Sequence, residues 1–390
     1  MPAPINKLKN GFRLLVFNTM IGTSPLAFGL FEGSPLITLL SWGFIMFLFL
    51  YAQELQVRLM LRGINKSLTK LSVMKDTSKR ETIDYFLKVG KSPQNPTARI
   101  EDFLEYFTIM PVDMDPSGLI GKIDYLVNTN DERIRDEIKH ILPSATPVQT
   151  TSAQNLLEVA AGLNMLHKIV RHFYILGKRT KSPFVVVQLQ IIMPFLMQEA
   201  DAYINAIDAF KYSHPIGDGI GPMVVGRMML GQKTKQVGKE TIMAKKDMNG
   251  RHLLFLKAEG PLATVGQPGH AMEKIVNEMK TKVNTIVMID AALKLEGEST
   301  GEIAEGIGAA IGGIGVERFQ IEEVATKNSI PLYAVVVKQS LAEAISSMKK
   351  EIAETAENVS KIVQDIVSEK TKKGDTVLIV GVGNTLGVAQ

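Results

Sequence analysis

Thr285-Ile-Val-Met-Ile-Asp290 decides how the second half of this chain is read. The apolar run is too short for a helix and too apolar for a solvated loop, so it reads as a buried strand ending at a carboxylate. Leu332–Lys338 and Thr376–Val382 are two more runs of the same kind. Between them, Leu341, Ile345, Met348, Ile352, Val359, Ile362, Val363 and Ile366 recur at helical spacing, which predicts one long helix over about 341–373. Upstream, 240–246 and 251–257 flank Asp247-Met-Asn-Gly250, and Asn-Gly between two apolar runs signals a hairpin. Residues 270–282 read as a helix. Strands alternating with helices predict an α/β domain over 213–390, in three layers around a mostly parallel sheet.

Working toward the N-terminus, the period changes. From about Glu81 to Tyr212 apolar residues recur at three and four, as in Leu156, Leu157, Ala160, Leu163, Leu166, Ile169, Val170 and Phe173. This predicts an all-α domain over 81–212, with proline-marked breaks near 93–96, 111–116, 143–147 and 183. Residues 184–197 lack charge but contain Gln188, Gln190 and Pro194, and read as a buried helix rather than a membrane span. Residues 1–80 read as an anchor. No charge occurs between Glu32 and Glu54, and the span is placed at about 34–53, enough to cross roughly 30 Å of hydrocarbon. Residues 55–80 carry Arg58, Arg62, Lys66, Lys70, Lys75, Lys79 and Arg80 against Asp76 alone. The positive-inside rule then predicts a single-pass protein of the cell membrane with its C-terminal bulk cytoplasmic, and the basic cluster suits membrane lipid headgroups. A weaker apolar stretch at 14–31 is left open between a second span, a re-entrant piece and an interfacial segment.

The whole chain has 390 residues, 45% hydrophobic and 22% charged, with a mean hydropathy of +0.10. That excludes a mainly disordered chain. It contains no Cys, which excludes thiolate metal sites, Cys nucleophiles and disulfides. The formal charge of +4 lies entirely in residues 1–212; residues 213–390 balance their acids and bases. A neutral C-terminal half argues against nucleic acid as a partner.

In open α/β sheets, sites form beyond the carboxyl ends of strands. Four segments qualify: 214–222, 260–270, Asp290 with its following loop, and 381–387. Asp218 lies in a glycine-flanked loop before an apolar helix, and Asp290 ends a strand. Two carboxylates converging in one cleft share a proton and activate water, or hold a divalent metal. The alternatives are a helix cap for Asp218 and backbone satisfaction at a strand end for Asp290. The candidate catalytic and metal residues are therefore Asp218 and Asp290. The candidate ligand-binding residues are His214, Gly219, Gly221, Gly266, Gly269, His270, Gly383 and Asn384. Gly260-Pro-Leu-Ala-Thr-Val-Gly-Gln-Pro-Gly269 before a helix suits anion capture. The glycine-rich stretch 299–317 reads as a loop whose backbone approaches a ligand closely.

Two resemblances follow from these residues. Over Ser213–Met229, Gly260–Gly269, Met288–Gly313 and Thr376–Gln390 the chain resembles the archaeal family known as domain of unknown function 1512, which implies an archaeal source and no established activity. Over 213–390 it more distantly resembles spore germination protease and hydrogenase maturation endopeptidases. Asp218-Gly-Ile-Gly-Pro222 is similar to their acidic loop, Ile286-Val-Met-Ile-Asp-Ala291 to their second-acid strand, and Thr376-Val-Leu-Ile-Val-Gly-Val-Gly-Asn384 to their opening strand and turn. Those motifs stand here in a permuted order, the opening strand last. The resemblance implies a phosphorylase/hydrolase-like fold with Asp218 and Asp290 as the acid pair. It also implies that the last strand lies inside the sheet beside the Asp290 strand, with Asn384 near the Asp218 loop.

Two expectations of function result. One is a membrane-anchored, peptidase-like hydrolase using the acid pair, with a divalent metal as an allowed cofactor. The other is a non-enzymatic, membrane-tethered regulatory module whose cleft binds a peptide or small anionic ligand.

Overall fold

A computed structural model of the chain describes residues 35–90, 95–105, 116–279, 282–312 and 316–389. The apolar stretch at 14–31 lies outside these residues, as does the start of the uncharged run.

The N-terminal unit is all helical. Helix α1 spans Pro35–Gly90, crossing residue 80 without a break. It is followed by α2 (Thr97–Glu105), α3 (Pro116–Ile141), α4 (Pro147–Thr180) and α5 (Pro183–Tyr212). Thr146 starts α4 as a capping box with Gln149, and Pro147 fits the first turn, where a missing N–H costs nothing. Lys181 stops it in a left-handed conformation before Pro183 opens α5. The C-terminal half of α1 packs on α4 and α5 through Ile64, Leu71, Leu156, Leu163, Val186, Leu189 and Ala200.

Two helices, α1 and α5, are long and apolar enough to cross a membrane. On α1, Leu39, Trp42, Phe44, Phe47 and Tyr51 are all more than half exposed. The expectation that 184–197 is a buried helix is half corrected. Val186, Leu189 and Met193 are buried, but Phe184, Ile191, Ile192 and Phe195 face outward because α5 has protein on one side only.

The C-terminal unit is built on seven strands: β1 (Thr234–Gly238), β2 (Thr241–Met248), β3 (Arg251–Ala258), β4 (Thr285–Leu293), β5 (Ile303–Ile307), β6 (Leu332–Gln339) and β7 (Thr376–Gly381). Their order is β1-β2-β3-β7-β4-β6-β5. Only the pairings among β3, β7, β4 and β6 are parallel; β1, β2 and β5 run antiparallel to their neighbours. The sheet is mixed, not mostly parallel. The two-residue turn at Asn249 (φ 52°) and Gly250 (φ 76°) forces β2 and β3 into a hairpin. At the other edge, part of the glycine-rich stretch read as a loop forms β5.

Helices cover both faces. On one lie α6 (Ile220–Met228) and α10 (Lys350–Lys370), packed on Phe255, Val287, Val335 and Ile379. On the other lie α7 (Pro268–Glu273), continued by a π turn at Lys274–Glu278, and α8 (Val316–Lys327). The single helix expected over 341–373 is broken into α9 (Leu341–Ile345) and α10. Its backbone opens at Ser346 because this segment bonds to the Asp218 loop instead. Gly217 N–H donates to Ser346 O, and Met348 N–H donates to Pro215 O at 2.7 Å. The helical and α/β units share a seam, where Ile216, Ala263, Ile345 and Leu386 join the helical core.

β7 lies in the sheet interior between β3 and β4, as the permuted order implied.

Candidate functional site: an acid pair beneath helix α3

Asp218 sits on a 3-10 turn, Gly217–Gly219, that leads into α6. It does not cap α6; its Oδ2 accepts the backbone N–H of Asn384 at 2.7 Å. That bond pins the Asp218 loop to the turn after β7, placing Asn384 where it was expected. The glycines around it are there for close packing. A Cβ on Gly383 (φ 128°) would lie 2.0 Å from Asp218 O, and one on Gly221 would lie 2.2 Å from Val382 O. Gly219 similarly meets Asn384 O at 2.9 Å. Close packing against neighbouring backbone therefore requires glycine at 219, 221 and 383, and of the three only Gly383 lines the cleft shared by Asp218 and Asp290.

Asp290 does not end its strand. β7 leaves the ladder near Gly381, but β6 continues beside β4 to Gln339, so β4 runs on to Leu293. Asp290 is 5% exposed. Its carboxylate accepts the N–H of Ala291 at 2.7 Å, and the nearby Gly312 N–H also favours its charged form.

Asp218 and Asp290 line one cleft of about 430 Å³. Val382, Gly383, Ala291, Ile311 and Gly312 also line it, with Thr264–Pro268 along one side. Helix α3 forms its roof through Asp124, Val127, Asn128, Asp131 and Arg135. Sequence reasoning missed this wall. Residues 124, 128, 131 and 135 follow a helical stripe of polar side chains, which reads as a solvated face until the other unit is present.

The roof is held by polar contacts. Arg135 pairs with Glu240 through both guanidinium NH2 groups, and Glu240 also accepts the Thr264 hydroxyl. Gln267 Nε2 donates to Asn128 Oδ1 at 2.9 Å, and Lys239 approaches Glu132 at 3.4 Å. His270 lies behind the rim, with Nδ1 at 3.3 Å from Glu317 and Nε2 at 3.7 Å from Asp124. His214 is exposed beside the Tyr212 ring and does not line the cleft.

The electrostatics separate the acids into two groups. Burial pushes the Asp218 carboxyl up, and the Asn384 N–H only partly offsets it. Burial pushes Asp290 well up, and the neighbouring Asp218 charge adds to the effect. Among the described residues neither forms an ion pair with Lys or Arg. For Glu240 burial also acts upward, but Arg135 and Thr264 outweigh it and hold the carboxyl below its ordinary value. Burial raises Asp131, and the hydrogen bond to Glu317 raises His270.

Two expected chemistries do not fit. The 260–269 loop was to capture an anion, but four of its N–H groups are already bonded within the fold. Thr264, Gly266, Gln267 and Gly269 donate to Thr385, Thr264, Thr241 and Glu317 respectively. The cleft lining is also acidic: Asp124, Asp131, Asp218, Glu240, Asp290 and Glu317 face Arg135 and Lys239. For a divalent metal, no group of three or more His, Asp or Glu side chains among the described residues is arranged to hold one.

Two family models match the chain. A "protein of unknown function (DUF1512) N-terminal domain" covers residues 38–213, and a "domain of unknown function (DUF1512) C-terminal" covers residues 216–389. No curated protein and no solved structure gives a significant match.

Proposed function

From a chain that belongs to the DUF1512 family, a family with no activity attached, we propose a membrane-anchored hydrolase of peptide-like substrates in which Asp218 and Asp290 act as an acid pair. One observation carries the reading. Two carboxylates, one from the turn before α6 and one from inside β4, line one cleft, both are raised by burial, and neither has a cation partner among the described residues. Buried carboxylates that serve only structure are ordinarily neutralised by a base, as Glu240 is here by Arg135.

One acid of the pair carries the proton and the other is the general base; we assign the proton to Asp290, whose charge both burial and the neighbouring Asp218 oppose, and the base role to Asp218. A water between them gives a proton to Asp218 and its hydroxyl to the substrate carbonyl carbon. The carbon–nitrogen bond breaks as the Asp290 proton reaches the leaving nitrogen. Proton return from Asp218 to Asp290 restores the pair. The permuted likeness to germination and hydrogenase maturation proteases belongs to this proposal. It is supported by β7 lying beside β4 and by Asn384 bonding to Asp218. The anchor is the uncovered apolar start of α1, and the basic residues 58–80 favour a cytoplasmic bulk.

The regulatory-module reading has one observation of its own. The cleft is roofed by the helical unit, so a bound ligand would shift α3 against the sheet.

The test is cleavage of a mixed-sequence peptide pool by the full chain in detergent, read by mass spectrometry. Wild type should cleave, and Asp218→Asn and Asp290→Asn should each lose cleavage while keeping the fold. Absence of cleavage by wild type, with peptides protecting α3 from hydrogen exchange, would favour the module.

A further inference from the structure

The helical unit has a second surface that fits a membrane, and it lies at the tip joining α4 to α5. Three observations converge there. The first is position. α1 and α5 run side by side in the same direction: Lys70 bonds Asp201, and Lys211 bonds Glu81. Gly63 packs against Gln190, and the Lys181 charge acts on Glu54. The tip at Lys181–Ser182 therefore sits level with Glu54, where the uncharged run of α1 ends.

The second is uncovered apolar surface. Phe184 is 69% exposed, while Phe173 and Ile175 flank the tip on α4. Leu55 and Leu59 continue the same exposed stripe down from the apolar part of α1. A water-facing helix would not carry such a stripe without a partner.

The third is charge. Between Glu158 and Glu199 there is no acidic residue, but there are Lys168, Arg171, Lys178, Arg179 and Lys181. Lys178, Arg179 and Lys181 are exposed, and among the described residues none forms an ion pair. Aromatic and aliphatic side chains beside unpaired bases, at the level where a neighbouring helix enters hydrocarbon, match an anionic bilayer surface.

We propose that the α4–α5 tip is an interfacial membrane contact, with Phe184 in the acyl boundary and Lys178, Arg179 and Lys181 on anionic lipid headgroups. The contact would hold the helical unit against the bilayer and fix the orientation of the cleft relative to it. It rests on the reading of α1 as an anchor, and the test separates the two.

The chain has no cysteine, so Phe184→Cys gives a single site for an environment-sensitive dye, at an exposed position that leaves packing intact. The labelled full chain is reconstituted in phosphatidylcholine vesicles with and without phosphatidylglycerol. Dye at this site should brighten about twofold or more in the anionic vesicles, and spin-labelled lipid should quench it. Dye at Tyr125 on α3 should not respond. Combining Lys178→Glu, Arg179→Glu and Lys181→Glu should abolish the anionic-lipid effect. A dye that stays in water while the chain floats with the vesicles overturns the tip contact and leaves the anchor standing. A chain that does not float overturns both. A dye already shielded in detergent, with the mass of a dimer by light scattering, overturns the lipid contact in favour of a second copy.

Discussion

Asp290 is where a single atom group ties stability to pH. Its folded carboxyl holds a proton more tightly than the unfolded chain does, because burial and Asp218 both oppose its charge. The stability gained from that proton is complete below the ordinary aspartate pKa of about 4, and is lost as pH rises through the raised folded value. Asp290→Asn lacks this dependence. It should melt higher than wild type at neutral pH and level with it near pH 4. A lower melting temperature at neutral pH would mean that a cation holds Asp290 ionised. Lys257 shows the opposite sign. It is 1% exposed, donates to Ala258 O at 3.0 Å, and burial lowers it to about 8. Its unfolded form binds a proton more tightly, so stability should rise between pH 8 and the ordinary lysine value. Lys257→Met should stabilise the protein by up to roughly 3 kcal/mol below that window, with the gain fading above it in denaturant titrations.

Helix α3 is the element on which the cleft depends. Its polar stripe, not an apolar face, joins the α/β unit, and Arg135 is the central contact. Removing that side chain leaves Glu240 partly buried with only the Thr264 hydroxyl. Arg135→Ala should therefore cost about 1–3 kcal/mol, less than a fully buried pair because both side chains keep some solvent. Amide exchange should quicken in 116–141 and leave β7 protected. Equal quickening in both would mean that α3 and the sheet unfold as one unit. The split between α9 and α10 belongs to the same scale. Their apolar spacing is compatible with one helix; only the competing bonds from Pro215 and Gly217 open the chain at Ser346.

At the scale of the molecule, the chain is two units sharing a seam, with one long helix extending an uncovered apolar segment beyond them. Deleting residues 1–54 should move the protein from the membrane fraction to the soluble fraction, where the α4–α5 tip alone should keep weak, salt-sensitive binding to anionic vesicles. A full chain that is soluble without detergent would end the anchor reading.

Much of this was legible in sequence because it depends on local chemistry. Helical period, proline breaks and the Asn-Gly hairpin declare themselves within a few residues. So does the strand at 376–381, since buried parallel strands must be apolar, whereas its place inside the sheet was implied only by the resemblance. What sequence left undecided depends on partners far along the chain. The true end of β4 is set by β6, and the edges of the sheet by where hairpins fold back. The bonding of N–H groups in the 260–269 loop is set by Thr241, Thr385 and Glu317. The roof of the cleft is set by a polar face of α3 that looks solvated in isolation. Each is a choice between water and a distant group as hydrogen-bond partner, and only the tertiary structure brings that distant group within reach.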